Sequence, residues 1–435
     1  MTERSTPSTT LTRQDLRTLM LASLGGALEF YDFIIFVFFA AAIGKQFFPA
    51  DTPEWLEMVQ TFGIFAAAYL ARPLGGLVMA HFGDKIGRKR MFTLSVFLMA
   101  IPTLLIGLTP TYETLGYAAP LLLLVFRMMQ GAAIGGEGPG AWVFVSEHVP
   151  ARHIGLACGL LTGGLTGGIM LGSLMATFIN TIFTPAEVVG YAWRIPFILG
   201  GVFGFGAMYL RRFLHETPVF EEMRRRRQLA ELPIKAVLKD HRRGIVVSML
   251  VTWMLTAAVV VVILLTPRLL QQLHGFTPAQ TLQANLAGTF TLTVCAMLCG
   301  WLIDRFGVVK VAVTGMLGLI ASTYLLYVGA GARPELLVPL YALAGAFVGV
   351  INVVPFVMIN AFPPAIRFSG VSFSYNVAYA IFGGLTPLLV SGLVALDRMG
   401  PAHYVAIVTL ISLATVIVNA RARRGVAAPQ AVAAE

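Results

Sequence analysis

Charge is scarce in this chain. Only 12% of its 435 residues are Asp, Glu, Lys or Arg, while 57% are hydrophobic. A water-soluble fold of that size cannot hide so much apolar surface, so lipid must be part of its solvent. Cysteine is also sparse. The three thiols, Cys158, Cys295 and Cys299, lie in apolar segments, and no His or Cys cluster accompanies the i, i+4 pair. That argues against a disulfide framework and against a metal site, and buried small hydrophobes are the expectation. No stretch reads G-x-x-x-x-G-K-[ST], which speaks against ATP-driven pumping, and no Ser/His/Asp arrangement suggests hydrolysis. The chain is expected to be no enzyme and to hold no metal and no cofactor, with the proton as its coupling ion.

Long apolar runs are what the sequence has instead. A hydrocarbon core of about 30 Å takes about 20 residues of helix. Such runs fall at 19–43, 58–82, 91–109, 118–146, 154–179, 193–210, 245–266, 281–303, 311–330, 336–361, 371–395 and 403–419. Each should be helical, because backbone groups in lipid must satisfy one another within the segment. None alternates apolar and polar residues as the strands of a membrane barrel would. The first run follows a polar tail and carries Glu29 and Asp32 without a small-residue cleavage site, so it reads as a retained helix.

Lys and Arg set the orientation, since positive loops stay cytoplasmic. With the N-terminus inside, 24 of the 31 basic residues fall in inside segments. Lys45, Arg268, Arg333 and Arg398 fall outside, and Arg72, Arg127 and Arg194 lie in or beside helices. The asymmetry places both termini in the cytoplasm of a bacterial-type inner membrane. It also accounts for the net charge of +10 without nucleic acid: the run from Arg224 to Arg227 is a solvated face toward lipid headgroups.

The longest polar stretch, 211–244, lies near the midpoint. Asp84-Lys85-Ile86-Gly87-Arg88-Lys89-Arg90 is echoed by Asp304-Arg305-Phe306-Gly307-Val308-Val309-Lys310, and the run Pro150 to Gly155 by the run Pro364 to Gly370. Two echoes at nearly one spacing are what duplicated halves would leave, and transporters rock such halves about a midplane site. The division is therefore a cytoplasmic tail 1–18, a six-helix half 19–210, a cytoplasmic linker 211–244, a second six-helix half 245–419 and a tail 420–435. The fold class is all-α, with about 12 transmembrane helices in two halves.

The motifs resemble the major facilitator superfamily, and within it the metabolite:proton symporter group, over nearly the entire chain. The resemblance rests on Gly25-Gly26-Ala27-x-Glu29-Phe30-Tyr31-Asp32-Phe33, Arg72-Pro73-Leu74-Gly75-Gly76 and His81-Phe82-Gly83-Asp84-Lys85-Ile86-Gly87. Further matches are Arg127-x-x-Gln130-Gly131, Gly135-Gly136-Glu137, Trp193-Arg194-Ile195-Pro196-Phe197 and Glu216-Thr217-Pro218. The second half adds Phe362-Pro363, Arg367-x-Ser369-Gly370, Ser374-Tyr375-Asn376, Phe382-Gly383-Gly384 and Pro387. Three departures stand out: Ala80 and Lys85 in the loop signature, and Gly138-Pro139-Gly140 after Glu137, where the group more often has an aromatic and two glycines.

A charge inside a bilayer is costly, so Glu29, Asp32, Arg72, Arg127 and Glu137 should be paired, protonated or in a water-filled cavity. Glu29 and Asp32 are one turn apart on one helix face, near mid-bilayer. The resemblance implies that Asp32 takes the proton with Arg127 as its partner, Glu29 and Glu137 being further candidates. Protonation of Asp32 would then release Arg127 to bind a substrate carboxylate bidentately. Tyr31, Arg127, Trp253, Asn352, Tyr375 and Asn376 are candidate substrate contacts, the last four against the alternative that they merely pack or bond between helices. Arg72, beside Pro73, reads as structural. Asp84, Gly87 and Arg88, with their copies Asp304, Arg305 and Gly307, read as a gate at the cytoplasmic helix ends. The helix-5 glycines, Gly159, Gly163, Gly164, Gly167, Gly168 and Gly172, read as close helix packing.

The function expected first is proton symport of a small organic anion: a mono-, di- or tricarboxylate, or an aromatic acid. A zwitterionic osmolyte or amino acid comes second, and a polyol or shikimate-like acid third. Drug efflux by proton antiport is the alternative mechanism and a non-transporting receptor the alternative class. The expected partners are that solute, protons and membrane lipid, with no nucleic acid, and the chain is expected as a monomer.

Overall fold

The apolar runs become helices in the computed structural model, which describes residues 11–86, 88–211, Arg225 and 233–432, and their side chains except at 80–93, 207, 210–211, 233, 365 and 423–432. The first half contains α1 (Arg13–Phe38), α2 (Glu54–Ile86), α3 (Arg88–Leu108), α4 (Ala118–His148) and α5 (Ala151–Ile182). Its sixth, α6, is Pro185–Ala192 joined at 46° to Arg194–Gly206. The second half contains α7 (Arg242–His274), α8 (Pro278–Phe306), α9 (Val308–Ala332), α10 (Pro334–Ala361), α11 (Arg367–Leu396) and α12 (Gly400–Ala422). Ten of these are long and apolar enough to cross a membrane unaided, bent α6 makes an eleventh, and α3, with the shorter apolar stretch Leu94–Leu108, completes twelve. Among the described residues there is no strand.

Ends differ from the expected spans where local caps decide. Helix α1 starts at Arg13 because Thr12 and Asp15 form a capping box, and it breaks at Phe39 before a short helix, Ala40–Phe47. Thr277 and Gln280 cap α8 in the same way. Gly307, at φ +85°, makes the turn from α8 to α9, a conformation that favours glycine. Most of the expected linker, 212–224 and 226–232, lies outside the described residues, and Pro233–Asp240 is a short helix before α7.

The pairing of helices repeats between the halves. Helix α1 packs on α5, α2 on α4 and α3 on α6; α7 packs on α11, α8 on α10 and α9 on α12. Helix α5 meets α8 along one seam between the halves, and α2 and α4 meet α11 along the other. The glycines of α5 divide between two neighbours. A Cβ on Gly164 would lie 2.6 Å from Ser23 on α1, while one on Gly159 would lie 3.0 Å from Gly300 on α8. Close packing is confirmed, but on two faces, one of which holds the halves together.

The second half is the less regular. Helix α7 is π-helical over Ala257–Leu265, α11 over Tyr379–Gly383, and α10 tightens to a 3-10 turn over Gly349–Asn352. These interruptions sit mid-helix, where π-bulges commonly accompany function.

Candidate functional site

Three sets of polar residues occupy the bundle. The first is enclosed by the N-terminal half. Glu29 and Asp32 are 4% and 1% exposed. The Asp32 carboxylate points at α6, where a Cβ on Gly200 would collide with its Oδ1, and Oδ1 has no hydrogen-bond partner. The Tyr31 hydroxyl donates to the carbonyl of Pro196, also on α6 (2.9 Å). Ser95 on α3 donates to Glu137 on α4 (2.8 Å).

Arg127 is fully buried beside this set, yet no ion pair joins it to Asp32. Its Nη1 donates to the Phe33 carbonyl (3.1 Å) and to Gln130 Oε1 (2.8 Å), and Gln130 Nε2 donates to Thr103 Oγ1 (2.7 Å). Thr103 in turn adjoins the Asp32 carboxyl. The expected pair is thus absent: the hydrogen-bonded chain Arg127–Gln130–Thr103 ends beside Asp32, because the Thr103 hydroxyl donates to the Met99 carbonyl (2.8 Å). The guanidinium carbon lies over the rings of Phe33 (4.5 Å) and Phe36 (4.4 Å), both on α1, and Nε and Nη2 have no partner. All these neighbours belong to the N-terminal half.

The second set lies on the seam between α2, α4 and α11. Arg72 is 2% exposed. Its guanidinium sits 4.1 Å from the ring centre of Tyr379, 5.3 Å from Tyr375 and 5.5 Å from Tyr69. Tyr69 stacks on Tyr379 across the halves (5.7 Å between centroids, 16° between planes), and Trp142 meets Tyr375 edge to face at 5.1 Å. Arg72 Nε has no hydrogen-bond partner. Next to Tyr375, Asn376 donates through Nδ2 to the Gly135 carbonyl (2.6 Å), while its Oδ1 has no partner. A buried cation with an open N–H, an open amide oxygen and the faces of three tyrosines therefore converge between the halves. Tyr375 and Asn376 were expected there. Arg72, read from sequence as structural, has a side chain that, unlike that of Arg127, reaches the other half. Tyr69 and Tyr379 were missed, although Tyr69 precedes Arg72 by three residues and Tyr379 follows Tyr375 by four, spacings that share a helix face.

The remaining expected contacts are placed elsewhere. Trp253 stacks on Phe382 (4.4 Å) and donates to the Tyr404 hydroxyl (2.9 Å), so it ties α7 to α11 and α12. Asn352 accepts from Thr162 (3.0 Å) and donates to the Gly155 carbonyl (3.4 Å), so its amide is engaged in the α5–α8–α10 seam. Both side chains are engaged between helices in this structure.

The third set closes the end of the bundle that carries the chain termini. Asp304, at the end of α8, accepts from the backbone N–H of Gly155 (2.8 Å) and of Leu156 (2.7 Å). Those N–H groups belong to the first turn of α5, where intrahelical acceptors are missing and the helix dipole favours an anion. A Cβ on Gly155 would stand 2.5 Å from Asp304 Oδ1 and 2.6 Å from the Gly300 carbonyl, so glycine is required for this approach. Arg305 lies over Trp301 and Phe306 (5.2 and 5.5 Å) and does not take part. Of the first-half copy, Gly87 and the side chains of Asp84 and Arg88 lie outside the described residues.

A family profile described as Major Facilitator Superfamily matches residues 22–386. Over 91% of the chain and 86% of the relative, the sequence is 31% identical to a putative proline/betaine transporter of Staphylococcus aureus (strain COL). It is 31% identical to the proline/betaine transporter of Salmonella typhimurium and 30% to that of Escherichia coli K12, in each case over 92% of this chain and 82% of the relative. Among solved structures, the proton:xylose symporter XylE bound to 6-bromo-6-deoxy-D-glucose superposes with a TM-score of 0.75 at 17% identity, covering 92% of this chain and 94% of that one. The partially occluded, inward-open XylE of E. coli gives 0.73 at 15%, covering 92% and 97%. The profile and the relatives are those of multi-pass membrane transporters, not of enzymes.

Proposed function

We propose, from the premise that the chain belongs to the major facilitator superfamily, that it is a proton-coupled symporter taking up a small zwitterionic osmolyte of the proline or betaine kind. The observation that carries this reading is Arg72 among Tyr69, Tyr375 and Tyr379 on the seam between the halves. A zwitterion needs a donor for its carboxylate and a home for its cation. Arg72 and the open Asn376 amide supply polar contacts, and tyrosine faces attract a desolvated onium group. The guanidinium now occupies the face of Tyr379, so a solute carboxylate would draw it aside and the solute cation would take its place on the rings. An organic anion, the substrate class expected first from sequence, would leave those rings without a role. The relatives' names favour the osmolyte as well.

In this mechanism Asp32 and Glu29 hold the proton inside the N-terminal half, out of the solute's path. A proton bound at Asp32 removes an uncompensated buried charge, and Thr103 and Gln130 lie between it and Arg127, which is packed against α1 and α2. Helix α2 carries both Tyr69 and Arg72. The terminal-bearing end, closed by Asp304, is the cytoplasmic one of a bacterial inner membrane. One positive charge moving inward with a neutral zwitterion gains about 2.3 kcal/mol per 100 mV.

The test is uptake into proteoliposomes under an imposed inward proton gradient, with glycine betaine, proline, citrate and shikimate offered in parallel. Accumulation of betaine or proline by the wild type, lost in Asp32→Asn, is expected. Accumulation of citrate or shikimate in their place would overturn the osmolyte reading, and gradient-driven expulsion would overturn symport.

A further inference from the structure

At the end of the bundle opposite the termini, a cleft of ≈ 470 Å³ opens between α2 of the first half and α7 and α11 of the second. That volume falls in the range of about 300–1,000 Å³ typical of small-molecule sites. Its walls are apolar, and its polar groups come from both halves: Glu54 and Trp55 at the start of α2, Arg268 and Gln272 near the end of α7, and Ser391 on α11. Arg268 is half-buried. Among the described residues the hydrogen bond it makes is to the thioether of Met58 (2.9 Å), and neither Glu54 nor Glu57 comes within ion-pair distance. A thioether is a weak acceptor for a guanidinium, so Arg268, although within electrostatic reach of Glu54 and Glu57, makes no direct bond to a carboxylate among the described residues. Glu54 and the exposed indole of Trp55 line the same cleft and offer what a cation needs.

We infer that this cleft is a second, outer solute site, which takes the carboxylate of a zwitterion on Arg268 and its cationic end on Trp55 and Glu54, ahead of the Arg72 site. The inference rests on the osmolyte reading for the identity of the solute. Because both halves line it, the site exists only while their far ends stand this close, and its occupancy reports that arrangement. A zwitterionic lipid headgroup shares the chemistry of an acidic group beside an onium. The solute is favoured because the polar groups of the cleft come from both halves and line one cleft at the end of the bundle opposite the termini.

The experiment is a tryptophan-fluorescence titration of the full chain in nanodiscs with glycine betaine and with proline, using Trp55→Phe to isolate the Trp55 signal. A saturable Trp55-dependent change is expected. Its half-saturating concentration should rise at least about tenfold in Arg268→Gln, as for loss of a charge-assisted bond, and recover in Arg268→Lys. It should persist in Tyr379→Leu, which separates it from the Arg72 site. No Trp55-dependent change, a change indifferent to Arg268→Gln, or a signal that follows nanodisc lipid composition and not solute would overturn the inference. A Trp55 change with citrate alone would overturn the identity of the solute here, whereas failed betaine and proline uptake with an intact Trp55 signal would overturn only the transport reading.

Discussion

Asn376 and Gly135 are joined across the two halves by a hydrogen bond of 2.6 Å, from a side-chain amide to a backbone carbonyl. The carbonyl is free to accept because the residue four positions on is Pro139, which has no N–H to complete the α4 ladder. A donor from α11 stands in for the one that proline removes. The Gly138-Pro139-Gly140 departure noted in the sequence therefore has a structural counterpart: it opens a backbone acceptor toward the other half.

Replacing Asn376 by Leu should destabilise the protein by about 1–3 kcal/mol, the cost of a buried carbonyl left without a donor. In a Pro139→Ala background, where the helix can supply its own N–H, the same substitution should cost much less. A double-mutant cycle of thermal unfolding in detergent measures the difference, and equal costs in both backgrounds would contradict the stand-in role.

The closure at Asp304 should give way when either partner is altered. Asp304→Asn weakens the charge-assisted bonds to the first turn of α5, and Gly155→Val forces a side chain into a space 2.5 Å from the carboxylate and 2.6 Å from a backbone carbonyl. Both variants should raise the reactivity of a cysteine placed on the seam toward a membrane-impermeant thiol reagent supplied from the terminal-bearing side. Gly155→Val should do so more strongly, because the clash cannot be relieved by a rotamer change at Gly300.

Asp32→Asn should abolish gradient-driven accumulation while sparing solute counterflow, since the side chain faces α6 and not the seam. Gly200→Ala, which pushes a methyl group against the same carboxylate, should impair accumulation in the same sense. Loss of counterflow together with accumulation in Asp32→Asn would show that the carboxylate does more than hold a proton.

Tyr379→Leu removes the ring nearest the Arg72 guanidinium. A cation–π contact in a desolvated site is worth about 1–2 kcal/mol, so apparent betaine affinity should fall by roughly 5- to 30-fold. Tyr379→Phe should retain most of it, because the ring face persists. Competition by unlabelled betaine against labelled proline in the two variants provides the comparison.

Much was legible before folding. The apolar runs, the polar midpoint, the Asp84 and Asp304 echoes and the cost of burying Glu29, Asp32, Arg72, Arg127 and Glu137 are properties of segments, and they led to a twelve-helix, two-half membrane transporter. All five charged residues lie inside the bundle: Glu29, Asp32, Arg72, Arg127 and Glu137 are each 4% exposed or less. Which of them meet was not legible. Successive residues of a helix point in directions about 100° apart, so a small rotation of α1 or α4 decides whether Asp32 faces Arg127 or the glycines of α6. The rotation is set by packing, here by Gly164 and Gly168 against α1 and by Gly200 beside Asp32. The same holds for Arg72, whose sequence neighbours spoke for a structural role, and for Trp253 and Asn352, whose polar atoms are engaged by helices distant in sequence. Hydropathy and charge thus determined how often the chain crosses lipid and what it must bury. Only the contact between the two halves decided which buried cation meets the other half, because that depends on residues some three hundred positions apart, Arg72 and Tyr379, being brought to one seam.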